Sequence, residues 1–196
     1  MKRRDFLGVL GAAAAMWPVD ARAQQTKMPV VGVLIPANPS PFWSTFQEAM
    51  KALGYVDGQN IRFDFRSAEG KANLLGEIAA EFVRSKVDVI VAAQTPAVTA
   101  AKQATTEIPI VMAAAADPVG TGLVQSLARP GGNITGMSAT VTEMGEKVLE
   151  LIRELLPATT RIAVLANATD PFPPTFLKQL ETGGRSFAMS IHDPGD

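Results

Sequence analysis

The sequence contains no cysteine among its 196 residues. This absence excludes disulfides, thiolate zinc sites, iron–sulfur clusters and cysteine nucleophiles. Histidine is almost as scarce, since the single copy, His192, stands close to the C-terminus. A Ser-His-Asp relay or a histidine metal cluster would have to be built around that one residue, which argues against most hydrolases and metalloenzymes.

The net charge of the chain is also close to zero. The chain has 18 basic and 19 acidic residues, a net charge of −1, and no basic run follows the N-terminal segment. We therefore expect no nucleic acid partner and no binding to an anionic membrane surface. The G-x-G-x-x-G fingerprint, the Walker lysine motif and the G-x-S-x-G elbow are all absent, so we expect no nucleotide and no cofactor.

Residues 1–23 have the three parts of an export signal. Lys2, Arg3 and Arg4 precede a charge-free apolar run over residues 6–17, and residues 21–23 form a small-x-small cleavage pattern. Because that run is too short to span a bilayer, we predict a signal peptide cleaved after Ala23 and a periplasmic mature protein. The paired arginines resemble a twin-arginine signal, with the general secretory route as the alternative. A buried N-terminal helix is the other interpretation of this segment.

Beyond this segment, strand-length apolar runs alternate with amphipathic helical segments. The alternating residues 61–66 predict a strand with one wet face near a sheet edge. Short right-handed crossovers between such elements produce a Rossmann-like parallel sheet with helices on both faces. The pattern predicts strands at 29–36, 61–66, 87–93, 108–114 and 134–138, and helices at 41–53, 71–86, 96–105 and 122–128.

The α/β pattern starts again at Thr142, with helices at 143–156 and 175–183 and strands at 160–167 and 186–191. Two strands and two helices form a poor independent core, so we expect a truncated chain that ends early in a second, similar lobe. The alternative is that these last elements join the first sheet. The predicted division is a signal peptide at 1–23, an N-terminal lobe at 24–140, and a crossover with an incomplete second lobe at 141–196.

Candidate binding residues stand where the predicted parallel strands end, because open α/β sheets bind ligands at that edge. Three loops there combine small or hydroxyl residues with a helix start, whose free N–H groups suit an anion. A carboxylate in the third loop can pair with an ammonium group, and an aromatic ring in the first can stack on a ligand. The alternatives are helix capping for the polar residues and core packing for the ring. The predicted ligand-binding residues are Ser40, Phe42, Gln94, Thr95 and Asp117 from the first lobe, and Asn167 and Asp170 from the second.

Two stretches, GYVDGQN at residues 54–60 and RPGGNITG at residues 129–136, resemble the ABC-transporter substrate-binding proteins of the tryptophan-binding-like group. The stretches RSAEG at 66–70 and DPVG at 117–120 fit the same family. The resemblance implies a type I periplasmic binding protein fold, in which two Rossmann-like lobes hold a small organic solute, in some members an aromatic amino acid, between them. It also implies transient delivery to an ABC permease in the inner membrane, with no bond made or broken.

We therefore predict a monomeric solute-binding component of an ABC importer rather than an enzyme. Two alternatives from other classes stay open at this point. One is an exported α/β enzyme such as a hydrolase, and the other is a ligand-sensing lobe that serves a signalling partner.

Overall fold

The computed structural model describes residues 27–38, 41–139, 141–168 and 170–192. The predicted export signal and the candidate residue Ser40 lie outside these residues. The described strands are β1 (Val30–Ile35), β2 (Arg62–Ser67), β3 (Val89–Ala93), β4 (Ile110–Ala116), β5 (Ile134–Ala139), β6 (Arg161–Ala163) and β7 (Ser190–His192). The described helices are α1 (Phe42–Ala52), α2 (Ala72–Ser85), α3 (Gln94–Ala104), α4 (Val141–Leu155) and α5 (Pro173–Ser186).

The first five strands form one sheet in the order β2-β1-β3-β4-β5, and every pairing in it is parallel. Strand β2 lies at the edge, as its alternating sequence predicts. The chain runs outwards from β1 to β2, and then returns to place β3 on the other side of β1. The point between β1 and β3 is therefore the topological switch point of the sheet, where ligands bind in open α/β folds.

Helices cover both faces of this sheet, which confirms the predicted α/β class. Successive residues of the central strands point to opposite faces, so Leu34 and Ile90 lie on one side and Val33 and Val91 on the other. On the first side α2 and α3 pack against the sheet, with Phe82 almost fully buried. On the second side α1 supplies an aromatic cluster to the strands, formed by Phe42, Trp43, Phe46, Phe63 and Phe65.

The helix predicted over residues 122–128 does not form, and this prediction was wrong. Gly122 has a φ of +70°, and the carbonyls of Gly122 and Leu123 accept hydrogen bonds from Lys102 Nζ rather than from a following helical turn. Leu123 and Val124 instead insert their side chains into the core beside α2 and α3. Tertiary burial outweighs the local helical pattern here.

The later part of the chain forms a separate small unit. Helices α4 and α5 pack together, and β6 pairs in parallel with β7 in a sheet of its own. The alternative that these strands extend the first sheet is therefore wrong. The strand predicted over 160–167 is shortened to β6. Helix α5 runs past its predicted end at 183 and takes up Ser186, the first residue assigned to the last strand, and β7 starts only at Ser190 after a turn.

No helix among the described ranges is long and apolar enough to cross a membrane.

Candidate functional site

A cavity of about 150 Å³ lies at the topological switch point of the sheet. Its walls come from the carboxyl ends of β1, β3 and β4 and from the start of α1. None of the described residues that line it is charged. The lining residues are Ile35, Pro36, Ala37, Asn38, Phe42, Ala93, Gln94, Ala113 and Ala114.

Phe42, one of the predicted residues, lines this central cavity from the first turn of α1. Its ring is half-buried and stacks on Phe46, with ring centroids 6.1 Å apart. The neighbouring Trp43 turns into the sheet, where its ring centroid lies 4.4 Å from that of Phe65. One aromatic residue of the pair therefore faces the cavity while the other packs in the core.

Gln94 lines the same cavity at the carboxyl end of β3. It is the first residue of α3, its side chain is exposed, and its φ of +65° lies in the left-handed region. A residue other than glycine is held there at a cost of about 1 kcal/mol or more, which the surrounding structure must offset. This backbone conformation sets the direction in which the Gln94 amide leaves the strand.

An irregularity in β4 builds the third wall. The register between β4 and β5 shifts between Met112 and Ala115, and Ala114 within the shift has a φ of +57°. Such bulges bend a strand and redirect its side chains, and they are common beside functional sites. Ala113 and Ala114 thereby line the cavity with small side chains and leave room above Phe42.

Thr95 has a different environment from the one that helix capping predicts. The residue before α3 is Ala93, with no side-chain cap, so the capping interpretation of Thr95 is wrong. Thr95 is 2% exposed, and its Oγ1 accepts a hydrogen bond of 3.0 Å from the Ala116 N–H at the end of β4. The hydroxyl joins α3 to β4 and holds the cavity walls together, while its contact with a ligand stays a prediction.

Asp117 directly follows β4 but is not among the residues that line the central cavity. Its Oδ1 accepts a hydrogen bond of 2.9 Å from the Gly120 N–H, and its carbonyl accepts from the Thr121 N–H and hydroxyl. The carboxylate thus closes a turn onto the N–H three residues further on, at the start of the long β4–β5 connection. Its pairing with a ligand ammonium group stays a prediction.

The two predicted residues of the second lobe lie between β6 and α5. The Asp170 N–H donates to the Asn167 carbonyl at 3.0 Å, and Asp170 Oδ1 accepts from the Phe172 N–H at 2.9 Å. Asp170 therefore starts the turn into α5. Neither residue lines the central cavity, and their binding role also stays a prediction.

Reasoning from the sequence missed Asn38 and the alanines of the β4 bulge. Asn38 belongs to the first candidate loop and could have been selected as its one side-chain amide. The bulge has no local signal, because residues 113–116 are four alanines and only the register against β5 shows where the strand bends.

A metal centre has no basis in the described part of the chain, where no group of three or more His, Cys, Asp or Glu side chains could hold an ion.

Comparison with known sequences identifies the family of this chain. The sequence model of the family described as "ABC transporter substrate binding protein" matches residues 41–180, well over half of the chain. The chain belongs to this family. The match includes α1, the whole of the first sheet from β2 onwards, and most of α5.

Individual members of the substrate-binding protein family show how far the similarity extends. A tyrosine-binding protein of Clostridioides difficile is 42% identical over 125 residues, which are 64% of this chain and 36% of that protein. A conserved domain protein from Vibrio cholerae superposes with a TM-score of 0.78 at 32% identity, over 85% of this chain and 57% of its own. The ABC domain in complex with L-Trp from Streptococcus pneumonia gives a TM-score of 0.76 at 27% identity, over 84% and 56%.

These comparisons confirm the type I periplasmic binding protein fold predicted from the sequence. The chain spans about a third of the length of the tyrosine-binding protein and a little over half of the two solved structures.

Proposed function

We propose that this chain is the extracytoplasmic solute-binding component of an ABC importer, and that the central cavity is the first lobe's part of its binding site. Family membership supports the class of function, and the position of the cavity at the switch point supports the site. The cavity is the observation that carries the proposal, since it joins predicted residues from two loops that lie about fifty residues apart in the sequence.

The size of the cavity indicates how binding works. Its 150 Å³ lies below the range of about 300–1,000 Å³ typical of small-molecule sites. A cavity this small encloses only part of a solute, so the rest of the solute must be covered by a facing lobe. The unit that contains α4, α5, β6 and β7 supplies the start of that lobe. Closure of the lobes then buries the ligand, and the closed state is the one that the ligand stabilises.

An aromatic amino acid is the solute class that we propose. Two relatives carry the names of tyrosine and L-Trp, and the cavity here has an aromatic ring, Phe42, beside small alanine walls. An aromatic side chain can stack on Phe42, and the Asn38 and Gln94 amides offer both donors and acceptors.

We further propose the division into lobes at residues 24–140 and 141–196, export by the N-terminal signal to the periplasm, a monomer, and transient docking to an ABC permease.

Tryptophan fluorescence and titration calorimetry test this proposal on the purified chain. Trp43 adjoins Phe42 in sequence and lies in the same aromatic cluster, so its emission should change when L-tyrosine occupies the cavity. Calorimetry should show saturable binding of L-tyrosine or L-tryptophan. Replacement of the ring by Phe42→Ala should weaken the affinity by about tenfold or more, because the lost contact is worth at least about 1.4 kcal/mol.

A matched control is Tyr55→Ala. Tyr55 is an exposed aromatic residue beyond the C-terminal end of α1, and it does not line the cavity. This variant should bind as the unaltered chain does. Equal losses in both variants, or no saturable binding in the unaltered chain, would contradict the proposed site.

A further inference from the structure

A second, larger cavity adjoins the central one at the carboxyl ends of β1 and β2. We call it the lateral cavity; its volume is about 590 Å³, and it shares Ala37 and Asn38 with the central cavity. Its other walls include Phe65, Arg66 and Glu69. A solute whose body lies against Phe42 can therefore extend a substituent past Asn38 into the lateral cavity.

Two hydrogen bonds tie the turn that carries Glu69 to the loop between the two cavities, and a third lies within the turn. Ser67 Oγ donates to the Ala37 carbonyl at 2.6 Å and accepts from the Glu69 N–H at 3.1 Å. The Gly70 N–H donates to the Pro36 carbonyl at 2.8 Å. Glu69 itself has a left-handed backbone, with a φ of +51°. The backbone of Glu69 is therefore fixed beside the wall that both cavities share, and its exposed side chain starts from there.

The charges in the lateral cavity are not equally available to a ligand. The Arg66 guanidinium is engaged by Asp64 at 2.8 Å and by Glu81 at 3.4 Å. The hydrogen bond that Arg66 Nε donates to Asp64 also raises the pKa of Arg66 above its usual value, so this side chain stays charged. The Glu69 carboxylate, in contrast, makes no hydrogen bond or ion pair with any residue in the ranges that the structure describes.

We propose that Glu69 binds the ammonium group of the solute and sets a preference for amines over the corresponding deaminated acids. This inference rests on the proposed function, because it presumes a solute in the central cavity. Among the described residues that line the two joined cavities, Glu69 has the only charged side chain outside an ion pair, since Arg66 is paired and the central cavity has no charged side chain among them. Asp117, the carboxylate that the sequence suggests for this task, already accepts a hydrogen bond from Gly120.

The test compares each amino acid with its deaminated analogue on the full chain. Calorimetry measures the affinity for L-tyrosine and 3-(4-hydroxyphenyl)propanoate, and for L-tryptophan and indole-3-propanoate. A charge-assisted hydrogen bond should favour the amine member of each pair by about tenfold or more. Glu69→Gln removes the charge at nearly constant shape and should lower that preference by a similar factor. Its affinity for the two deaminated acids should stay the same or rise.

Glu107→Gln is the matched control. Glu107 precedes β4, so it lies at the amino-terminal end of that strand, whereas the two cavities lie at the carboxyl ends of the strands. Its replacement removes the same charge from an exposed site. This variant should keep the amine preference in full. Far-ultraviolet circular dichroism of both variants confirms that the fold is unchanged.

The outcomes separate the two proposals. Binding of the amino acids with an amine preference that Glu69→Gln leaves unchanged overturns the role of Glu69 and leaves the proposed function standing. Equal affinity of the unaltered chain for both members of each pair does the same. An unaltered chain that binds none of the four compounds overturns the proposed function, and the role of Glu69 with it.

Discussion

Single polar residues at the strand ends hold the central cavity open. Thr95 is the clearest case, because it is a buried hydroxyl that links the first turn of α3 to the last residue of β4. A buried N–H without a partner costs more than an ordinary hydrogen bond contributes, so this contact matters more than its single bond suggests.

Thr95→Val should lower the free energy of unfolding by about 1–3 kcal/mol, since it leaves the Ala116 N–H buried without an acceptor. Thr95→Ser keeps the hydroxyl and should lose much less. Urea denaturation followed by circular dichroism measures both values. Thr99→Val is the control on the same helix, because its hydroxyl only donates back to the Thr95 carbonyl. A loss for Thr99→Val as large as that for Thr95→Val would disprove the role given to the Thr95 hydroxyl.

Residue type and position in the sequence were enough to predict some of the residues that line the central cavity. Phe42 and Gln94 were predicted and line the central cavity, because position at a strand end is a property of the local pattern. The hydrogen bonds of Thr95 and the charge of Glu69 were not foreseen. The Ala116 N–H that Thr95 accepts from lies 21 residues away, and the Ala37 carbonyl that anchors the turn of Glu69 through Ser67 lies 30 residues from Ser67. No local pattern encodes such contacts.

At the scale of elements, α2 approaches β1 closely enough to require a glycine. A Cβ built at Gly32 would lie 2.9 Å from the ring of Phe82, which is 1% exposed and has no room to move. A Cβ at Gly76, on the exposed side of α2, would meet nothing within 4 Å. The close helix–sheet contact therefore requires a glycine at residue 32, whereas nothing in the packing requires one at residue 76.

Gly32→Ala should cost about 1–3 kcal/mol of unfolding free energy through overpacking. Gly76→Ala should instead increase the unfolding free energy by about 0.5–1 kcal/mol, because alanine restricts the unfolded chain and fits the helix without strain. Thermal denaturation of the two variants beside the unaltered chain measures the signs. A stabilised Gly32→Ala variant would contradict the close packing of β1 against Phe82.

Most elements of the first lobe follow from periodicity, and the exceptions have identifiable causes. Continuous apolar runs form the central strands β1 and β3, and the alternating run forms the edge strand β2. The predicted helix at 122–128 fails because Lys102 binds the carbonyls that a helix would need, and because two apolar side chains gain more from the core.

At the scale of the whole molecule, the chain divides into units of unequal strength. The first sheet has five strands with packed helices on both faces, whereas β6 and β7 form a two-stranded sheet of three residues each. In the second unit α4 also exposes an apolar stripe, formed by Met144, Val148, Leu151 and Leu155. Few buried contacts and open strand edges lower the local stability of such a unit.

Amide hydrogen exchange should therefore distinguish the two units. We expect β6 and β7 to exchange on the order of 100-fold faster than β3, which is buried at the centre of the first sheet. Mass spectrometry of peptic peptides from the labelled chain measures both rates. If β6 and β7 were as strongly protected as β3, the second unit would be more stable than its small core suggests.

An added aromatic amino acid should slow exchange at the ends of β1 and β3 if it binds in the central cavity.

The sequence by itself determined the order and type of most elements, the parallel α/β class and the edge of the sheet at which we propose that a ligand binds. These features depend on hydrophobic periodicity and turn residues, which are local properties of the chain. Only the tertiary structure decided the β4 bulge, the buried Thr95 contact, the bond from the Gly120 N–H to Asp117 and the place of Glu69 beside the lateral cavity. Each of these depends on strand register or on the position of a particular side chain in the folded chain, and the fold determines these only when all of its elements pack together.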